Sequence, residues 1–166
     1  MNEKTCCFTG HRPSKFGFKH NEAAAECIEL KNRLNVEILN MLLNNDVRCF
    51  ITGMAMGVDT WAAEIVLELK ETYPDLTLVA AIPFPEQAAF WSEKNRQRYH
   101  HILSLCDKIK IVSPSHSSSC MMQRNKYMVD NSDYVIAVWN GLMSGGTAKT
   151  VGYAKKLNKK TVIIPC

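Results

Sequence analysis

The sequence predicts an α/β fold: a single Rossmann-like domain with a doubly wound, mainly parallel sheet of about six strands. Short β-rich runs alternate with longer segments of helical periodicity from one end of the chain to the other. Parallel strands need crossover connections, and crossover helices cover both faces of the sheet. A length of 166 residues with 46% hydrophobic content suits one core, so residues 1–166 are expected to form one domain.

The first half of the chain begins with a predicted strand at 5–10. A helix over 22–44 follows, because apolar residues recur there at steps of three and four. These residues are Cys27, Leu30, Leu34, Ile38 and Met41. A second strand is expected at 48–53, and a second helix at 59–72, which Pro74 ends.

The second half continues the same alternation. The run "LTLVAAI" at 76–82 is almost entirely apolar, which is typical of a strand covered on both faces. The remaining predicted elements are a helix at 86–105, a strand at 108–112, a helix at 119–131, a strand at 134–139, a helix at 147–157 and a strand at 161–165.

Charge and hydropathy exclude several classes of protein. Twenty basic and 16 acidic residues give a net charge of +4. This mild excess permits an acidic ligand but does not favour a dedicated nucleic-acid binder. No apolar stretch approaches the ~20 residues that cross a bilayer. The N-terminal "MNEKTCCFTG" lacks the long apolar region of a secretory signal, so a cytoplasmic protein is expected.

The seven cysteines are expected to be reduced and mostly buried thiols. Their odd number, the adjacent Cys6 and Cys7, and the lack of a CxxC pair argue against a disulfide framework. The spacing of zinc ligands is absent as well, so no metal site is predicted.

The loops that follow the strands hold the candidate ligand-binding residues, because ligands of open parallel sheets bind beyond the carboxyl ends of the strands. The segment "SGGT", with Ser144, Gly145, Gly146 and Thr147, follows a strand and opens a helix. Its backbone amides would meet a phosphate at the positive end of the helix dipole. A tight turn without a ligand is the alternative.

Two further loops carry glycines or charged residues after a strand. In "GMAMGVD", Gly53 and Gly57 are predicted to line a ligand, whereas Asp59 is predicted to cap the helix. Gly10 and His11 follow the first strand, and the histidine either donates a hydrogen bond to a ligand or satisfies a local backbone group.

Two arginines are candidates for binding phosphate through a bidentate fork. Arg12 follows the first strand, and Arg124 lies near the start of a helix. A solvated surface position is the alternative for either one.

Aromatic residues near the same loops are candidates for stacking on a base. Phe84 lies between two prolines at a strand end and is the favoured base platform, and Trp139 is a second candidate. Trp91 is expected to pack in the core.

Segments along nearly the whole chain closely resemble the YpsA/YoqJ-like family of the SLOG superfamily, which also holds the LOG phosphoribohydrolases and DprA. They are "FTGHRPSK", "ITGMAMGVD", "PFPEQAAFW", "RNKYMVDNSDYVIAVWNG" and "GGTAKTVGYAKK". The resemblance implies a Rossmann-like fold with a nucleotide-type ligand, NAD or an ADP-ribose derivative, at the rim described above. It also implies a homo-oligomer.

A comparison with the LOG pattern favours binding over catalysis. Arg124 matches the phosphate-binding arginine of that family, but Gln123 stands where its first carboxylate would be. Thr150, or its neighbour Lys149, stands in place of the second. Cleavage of an N-glycosidic bond builds positive charge on the ribose, which a carboxylate stabilises. No catalytic residue is therefore predicted.

Three functional hypotheses remain, and the favoured one is a nucleotide-binding or sensing domain. Its predicted contacts are the phosphate on the amides of Gly145 and Gly146 and on Arg124, the ribose near Gln123 and Asn125, and the base against Phe84 or Trp139, with Arg12 closing over the ligand. The alternatives are a LOG-like nucleoside monophosphate phosphoribohydrolase and DprA-like binding of single-stranded DNA, which the mild charge does not favour.

Overall fold

The computed structural model describes residues 3–166, which form six strands and five helices. The strands are β1 (Lys4–Gly10), β2 (Val47–Thr52), β3 (Thr77–Ile82), β4 (Lys108–Ile111), β5 (Tyr134–Trp139) and β6 (Lys160–Pro165). The helices are α1 (Ala25–Asn44), α2 (Val58–Thr72), α3 (Glu93–Leu105), α4 (Cys120–Asp130) and α5 (Gly145–Lys156), and a single 3-10 turn spans Pro13–Lys15.

The strands form one sheet in the order β4-β3-β2-β1-β5-β6, and every neighbouring pair is parallel. The predicted α/β, Rossmann-like fold is therefore confirmed. Successive strands are added outward from β1 as far as β4, and the chain then returns to place β5 on the other side of β1. The strand order reverses between β1 and β5, which makes the carboxyl ends of these two strands the switch point of the sheet.

The two faces of the sheet have separate apolar layers. Strands are first added from β1 toward β4, and right-handed crossovers place α1, α2 and α3 on one face of the sheet. The chain then returns to add β5 and β6 in the opposite direction, so α4 and α5 lie on the other face. The contacts agree, since α1 packs on α2, α2 on α3, and α4 on α5. Alternation along β1 divides its side chains accordingly: Cys6 and Phe8 join the larger core cluster, whereas Cys7 joins the smaller one with Val135 of β5.

Helix starts differ most from the sequence prediction. The first helix begins at Ala25, three residues later than expected, and α3 begins at Glu93 where a start at 86 was predicted. Residues 83–92 form turns instead, and Ser92 caps α3 by accepting the N–H of Asn95 at 3.4 Å. In contrast, α5 begins two residues earlier than predicted, at Gly145, so the glycines belong to its first turn.

In the described part of the chain all seven cysteines are free thiols, and four of them are buried. Over residues 3–166 no helix is both long and apolar enough to cross a membrane.

Candidate functional site

A cavity of about 490 Å³ lies beyond the carboxyl ends of β1 and β5. Four segments build it: the loop after β1, the turn before α2, the first turns of α4, and the turn before α5. The predicted site residues that line it are Gly10, His11, Arg12, Arg124, Asn125, Ser144, Gly145, Gly146 and Thr147. The fold thus brings together residues from four separate parts of the chain.

The start of α5 presents free backbone amides to this cavity. Ser144 is the N-cap residue, and within residues 3–166 its side chain makes no capping hydrogen bond. Gly145 has φ +90°, a conformation that favours glycine, and both Gly145 and Gly146 are exposed. The first amides of a helix lack intrahelical partners and lie at the positive end of its dipole, so this turn is suited to an anion.

Thr150, which replaces an acid of the LOG pattern, takes no part in the cavity. Its hydroxyl donates a hydrogen bond to the carbonyl of Gly146 at 2.8 Å, one turn back along α5. The side chain is therefore buried and already satisfied within its own helix.

The guanidinium of Arg124 forms an inner wall of the cavity and is held by protein acceptors. The residue is only 2% exposed. Its Nη1 donates to the carbonyl of Gly53 and lies 3.5 Å from that of Ala81, while Nε donates to the side chain of Asn125 at 2.9 Å. Burial lowers the pKa of the guanidinium from its ordinary value, which is the direction expected for a cation out of water. Arg124 is thus a fixed, buried charge beside the cavity.

Gly53 has a packing role and does not line the cavity, contrary to the prediction. A Cβ at this position would overlap the guanidinium of Arg124 and would lie 2.7 Å from Oδ2 of Asp59. The missing side chain is what allows these two charged groups to approach the end of β2.

Gly57 also lies outside this cavity. It is the N-cap residue of α2 with φ +93°, and a Cβ there would come within 3.0 Å of the ring of Pro13. Backbone conformation and close packing account for this glycine, which lines a separate cavity, so its ligand contact stays a prediction.

Asp59 is the main residue that the sequence reading assigned to the wrong role. It is the second residue of α2, not its cap, and its Oδ2 accepts the N–H of Ala55 at 3.2 Å. Among the described residues it is the only acid that lines the cavity. Burial raises the pKa of the Asp59 carboxyl, and the guanidiniums of Arg124 and Arg12 partly offset that rise. In the sequence, a helix cap was a sufficient explanation for Asp59, and no local signal indicated that its side chain lines the cavity.

Arg12 and His11 line the cavity from the loop after β1. Arg12 is half-buried, and its guanidinium has no ion-pair partner within residues 3–166. His11 takes the second of its two predicted roles: its Nε2 accepts the backbone N–H of Asn140 at 3.3 Å. This hydrogen bond joins the first residue after β1 to the first residue after β5, so it links the two strand ends at the switch point.

Three further predicted ligand contacts, Phe84, Gln123 and Trp139, lie outside the cavity because local partners hold their side chains elsewhere. Phe84 packs edge-on against His116, with ring centroids 5.0 Å apart. Gln123 accepts from Ser113 and donates to Ser119, both at 2.9 Å, and so fixes the loop before α4.

Trp139 donates its indole N–H to the carbonyl of Leu142 at 2.9 Å and has the Lys155 ammonium over its ring. Trp91, predicted to be a core residue, packs edge-on against Tyr99 at the border of the larger cluster. The base platform proposed from sequence is therefore not part of this cavity.

The sequence reading missed other lining residues. Lys15 adds a cation to the rim, while Phe8, Met121 and Leu142 supply apolar surface. Asn140 had a usable signal, because it follows β5 directly at a carboxyl end. The apolar residues had none, since an isolated apolar residue in sequence is indistinguishable from a core residue.

Known proteins similar to this chain share most of its length. Residues 6–164 match the family model of YpsA, the YspA SLOG family. A UPF0398 protein of Bacillus cereus (strain B4264) is 33% identical over 156 residues, which cover 92% of this chain and 83% of the relative. A UPF0398 protein of Bacillus thuringiensis (strain Al Hakam) is 32% identical over the same length and shares.

Among solved structures, the X-ray structure of DNA processing protein A (DprA) from Streptococcus pneumoniae superposes with a TM-score of 0.65 at 15% sequence identity. The match covers 99% of this chain and 51% of DprA, so the chain spans about half the length of that protein. At this identity the likeness concerns the fold alone. The match to the family model over residues 6–164, together with relatives above 30% identity, shows that the chain belongs to the YpsA family of SLOG proteins.

Proposed function

We propose that this chain binds or senses a nucleotide-type ligand, such as NAD, ADP-ribose or a related phosphoribosyl compound, in the cavity at the switch point of the sheet. One observation carries the proposal: within the described residues, a helix start without a side-chain cap and a guanidinium without an ion-pair partner line the same cavity. Uncapped helix N-termini bind phosphate, and arginine supplies a bidentate fork to it.

The phosphate is assigned to the first turn of α5. The amides of Gly145 and Gly146 are exposed there, so an oxyanion reaches them without displacing a side chain. Arg12 reaches the same space from the loop after β1, and Lys15 lies at its rim. Nη1 and Nε of Arg124 are already engaged by protein acceptors, whereas Nη2 makes no hydrogen bond within the described residues and is the donor of this guanidinium that remains for the ligand.

Asp59 offers a hydrogen-bond acceptor to the ribose of such a ligand. Its Oδ2 accepts the N–H of Ala55, whereas Oδ1 makes no hydrogen bond within the described residues and is not among the fully buried unpaired atoms. Since Asp59 lines the cavity, Oδ1 is the oxygen that remains for a ligand. A carboxylate accepts hydrogen bonds from hydroxyls, which a ribose supplies.

The test is isothermal titration calorimetry with ADP-ribose, NAD and ribose 5-phosphate. Arg12→Gln is expected to weaken binding roughly 10- to 150-fold, because a hydrogen bond to a charged group contributes about 1.5–3 kcal/mol. Arg96→Gln is the matched control: Arg96 pairs with Glu93 and lines no part of the cavity. A wild-type chain that takes up none of the three compounds at millimolar concentration would contradict the proposal.

Hydrolysis of an N-glycosidic bond is a second candidate, which the position of Asp59 favours. Both acids of the LOG pattern are replaced, yet a carboxylate from α2 lines the same cavity. Such a group stabilises the positive charge that develops on the ribose as the base leaves. The assay is release of free base from nucleoside monophosphates, with Asp59→Asn expected to lose roughly 10²- to 10⁴-fold in rate. No release of base by the wild type would rule this activity out, and equal turnover by the wild type and Asp59→Asn would exclude Asp59 from it.

A further inference from the structure

A second cavity of about 330 Å³ lies beside the first, on the face of the sheet that carries α1. Three residues line both cavities: His11, Lys15 and Asn140. His11 and Asn140 are the residues that directly follow β1 and β5 and are joined by a hydrogen bond. The two cavities therefore flank the same switch point, one on each side of this contact.

This arrangement suits one ligand that crosses the switch point. The first cavity takes its walls from α4 and α5, and the second takes its walls from α1 and the end of β6. Ligands of open parallel sheets bind across the crevice at which the strand order reverses. A ligand whose phosphate occupies the first turn of α5 has its other end directed toward the second cavity.

The second cavity has an aromatic wall, which the first lacks apart from Phe8. Phe16 and Phe18 stack with ring centroids 5.0 Å apart and planes 7° from parallel. Both rings also contact Trp61, at 5.9 and 6.2 Å, and this buried indole holds them in place. Phe16 is buried in the larger core cluster, so the half-buried Phe18 is the ring that a planar group reaches, and Phe16 and Trp61 hold it rigidly in place.

The charged residues of this cavity include two hydrogen-bond acceptors. Glu26 and Glu29, from the first turns of α1, line it together with two cations, Arg33 and Lys15. Carboxylates repel phosphate oxygens but accept hydrogen bonds from ring and exocyclic N–H groups. Leu30 adds apolar surface below them. A neutral aromatic ring with N–H donors satisfies all of these features.

We infer that the second cavity binds the base of the ligand, a purine or pyrimidine with N–H donors, against Phe16 and Phe18. The inference rests on the proposed function, because it assigns the phosphate of the same molecule to the first cavity. It replaces the base platform at Phe84 and Trp139, which lies outside both cavities.

The first arm of the test compares AMP with ribose 5-phosphate on the wild-type chain by calorimetry. The two compounds share the phosphate and the sugar and differ by the base. AMP is expected to bind roughly tenfold more tightly, which is the usual gain from one base stacked on an aromatic residue. Equal affinities would overturn the inference while leaving the proposed function intact. If neither compound binds, the inference fails, and binding of ADP-ribose or NAD decides whether the proposed function fails with it.

The second arm removes the aromatic face with Phe18→Leu, which keeps apolar volume. AMP is then expected to lose its roughly tenfold advantage, whereas the affinity for ribose 5-phosphate stays within about twofold. Phe90→Leu is the matched control, because Phe90 is fully exposed and lines neither cavity. Urea unfolding checks that the two variants remain folded. Retention of the AMP preference in Phe18→Leu would place the base elsewhere and overturn the inference.

Discussion

Replacing Arg124 with methionine tests whether this buried cation organises the cavity. The substitution keeps the apolar part of the side chain but removes the donor to the carbonyl of Gly53. It also leaves the Asp59 carboxyl, which is 8% exposed, without the strongest of its cationic neighbours. Loss of the partner of a buried polar group typically costs about 1–3 kcal/mol. For a chain of this length that loss lowers the unfolding midpoint by roughly 2–12 °C.

The pH dependence of the stability of Arg124→Met tests whether Asp59 is the buried group that has lost its compensating charge. Burial raises the folded-state pKa of the Asp59 carboxyl, and loss of the Arg124 guanidinium raises it further. A group with a raised pKa binds protons more tightly in the folded state, so its folded form gains stability as the pH falls through that pKa. The deficit of Arg124→Met relative to the wild type is therefore expected to shrink as the pH falls toward the ordinary pKa of an aspartate, about 4.

Urea unfolding, followed by the fluorescence of the buried Trp61, measures these free energies. The double variant Arg124→Met with Asp59→Asn is expected to recover part of the loss, because an amide is less costly to bury than a lone carboxylate. Arg96→Met is the matched control, since its ion pair with Glu93 is exposed and contributes about 1 kcal/mol or less. A deficit below about 1 kcal/mol for Arg124→Met, independent of pH, would refute the reasoning.

Further predictions concern glycines and thiols. Gly53→Ala is expected to lower the free energy of unfolding by about 1–3 kcal/mol, because its Cβ overlaps a buried guanidinium. Gly152→Ala, in the open interior of α5, is expected to raise it by about 0.5–1 kcal/mol. Chemical denaturation measures both changes. Gly145→Ala is expected to cost about 1–2 kcal/mol through its positive φ and to weaken binding of ribose 5-phosphate, and unchanged affinity would speak against a phosphate at this turn. Burial raises the pKa of the Cys7 thiol to about 12, so a thiol reagent at pH 8 is expected to label the exposed Cys166 and to spare Cys7 until the chain unfolds.

The elements of the sheet were predictable from sequence because their signals are local. The strand at 134–139 coincides with β5, and the apolar run at 76–82 encloses β3, which lies inside the sheet between two neighbours. Helix starts were less accurate where a turn competes with the helix, as between Pro83 and Glu93. Prolines and a serine cap there moved the start of α3 by seven residues.

Within the cavity, the residues next to strand ends and at the start of α5 were predictable from the rule that ligands bind at carboxyl ends of strands. Arg124 was predicted as a phosphate-binding arginine near the start of a helix, with Asn125 beside it, and both line the cavity. Phe84 and Trp139 were predicted to line the cavity but do not, because neighbours such as His116 and the carbonyl of Leu142 already hold their rings. Sequence proximity to a strand end does not fix the direction of a side chain.

The amino-acid sequence by itself determined the alternation of strands and helices, the parallel sheet and the rim on which charged and glycine-rich loops gather. These follow from periodicity, composition and turn residues, which act over a few positions. Only the tertiary structure decided that Asp59 and Arg124 meet over Gly53, and that Phe16 and Phe18 border a second cavity beside the first. Residues far apart in the chain become neighbours through packing, and it is packing that sets which charges are buried and which surfaces remain open.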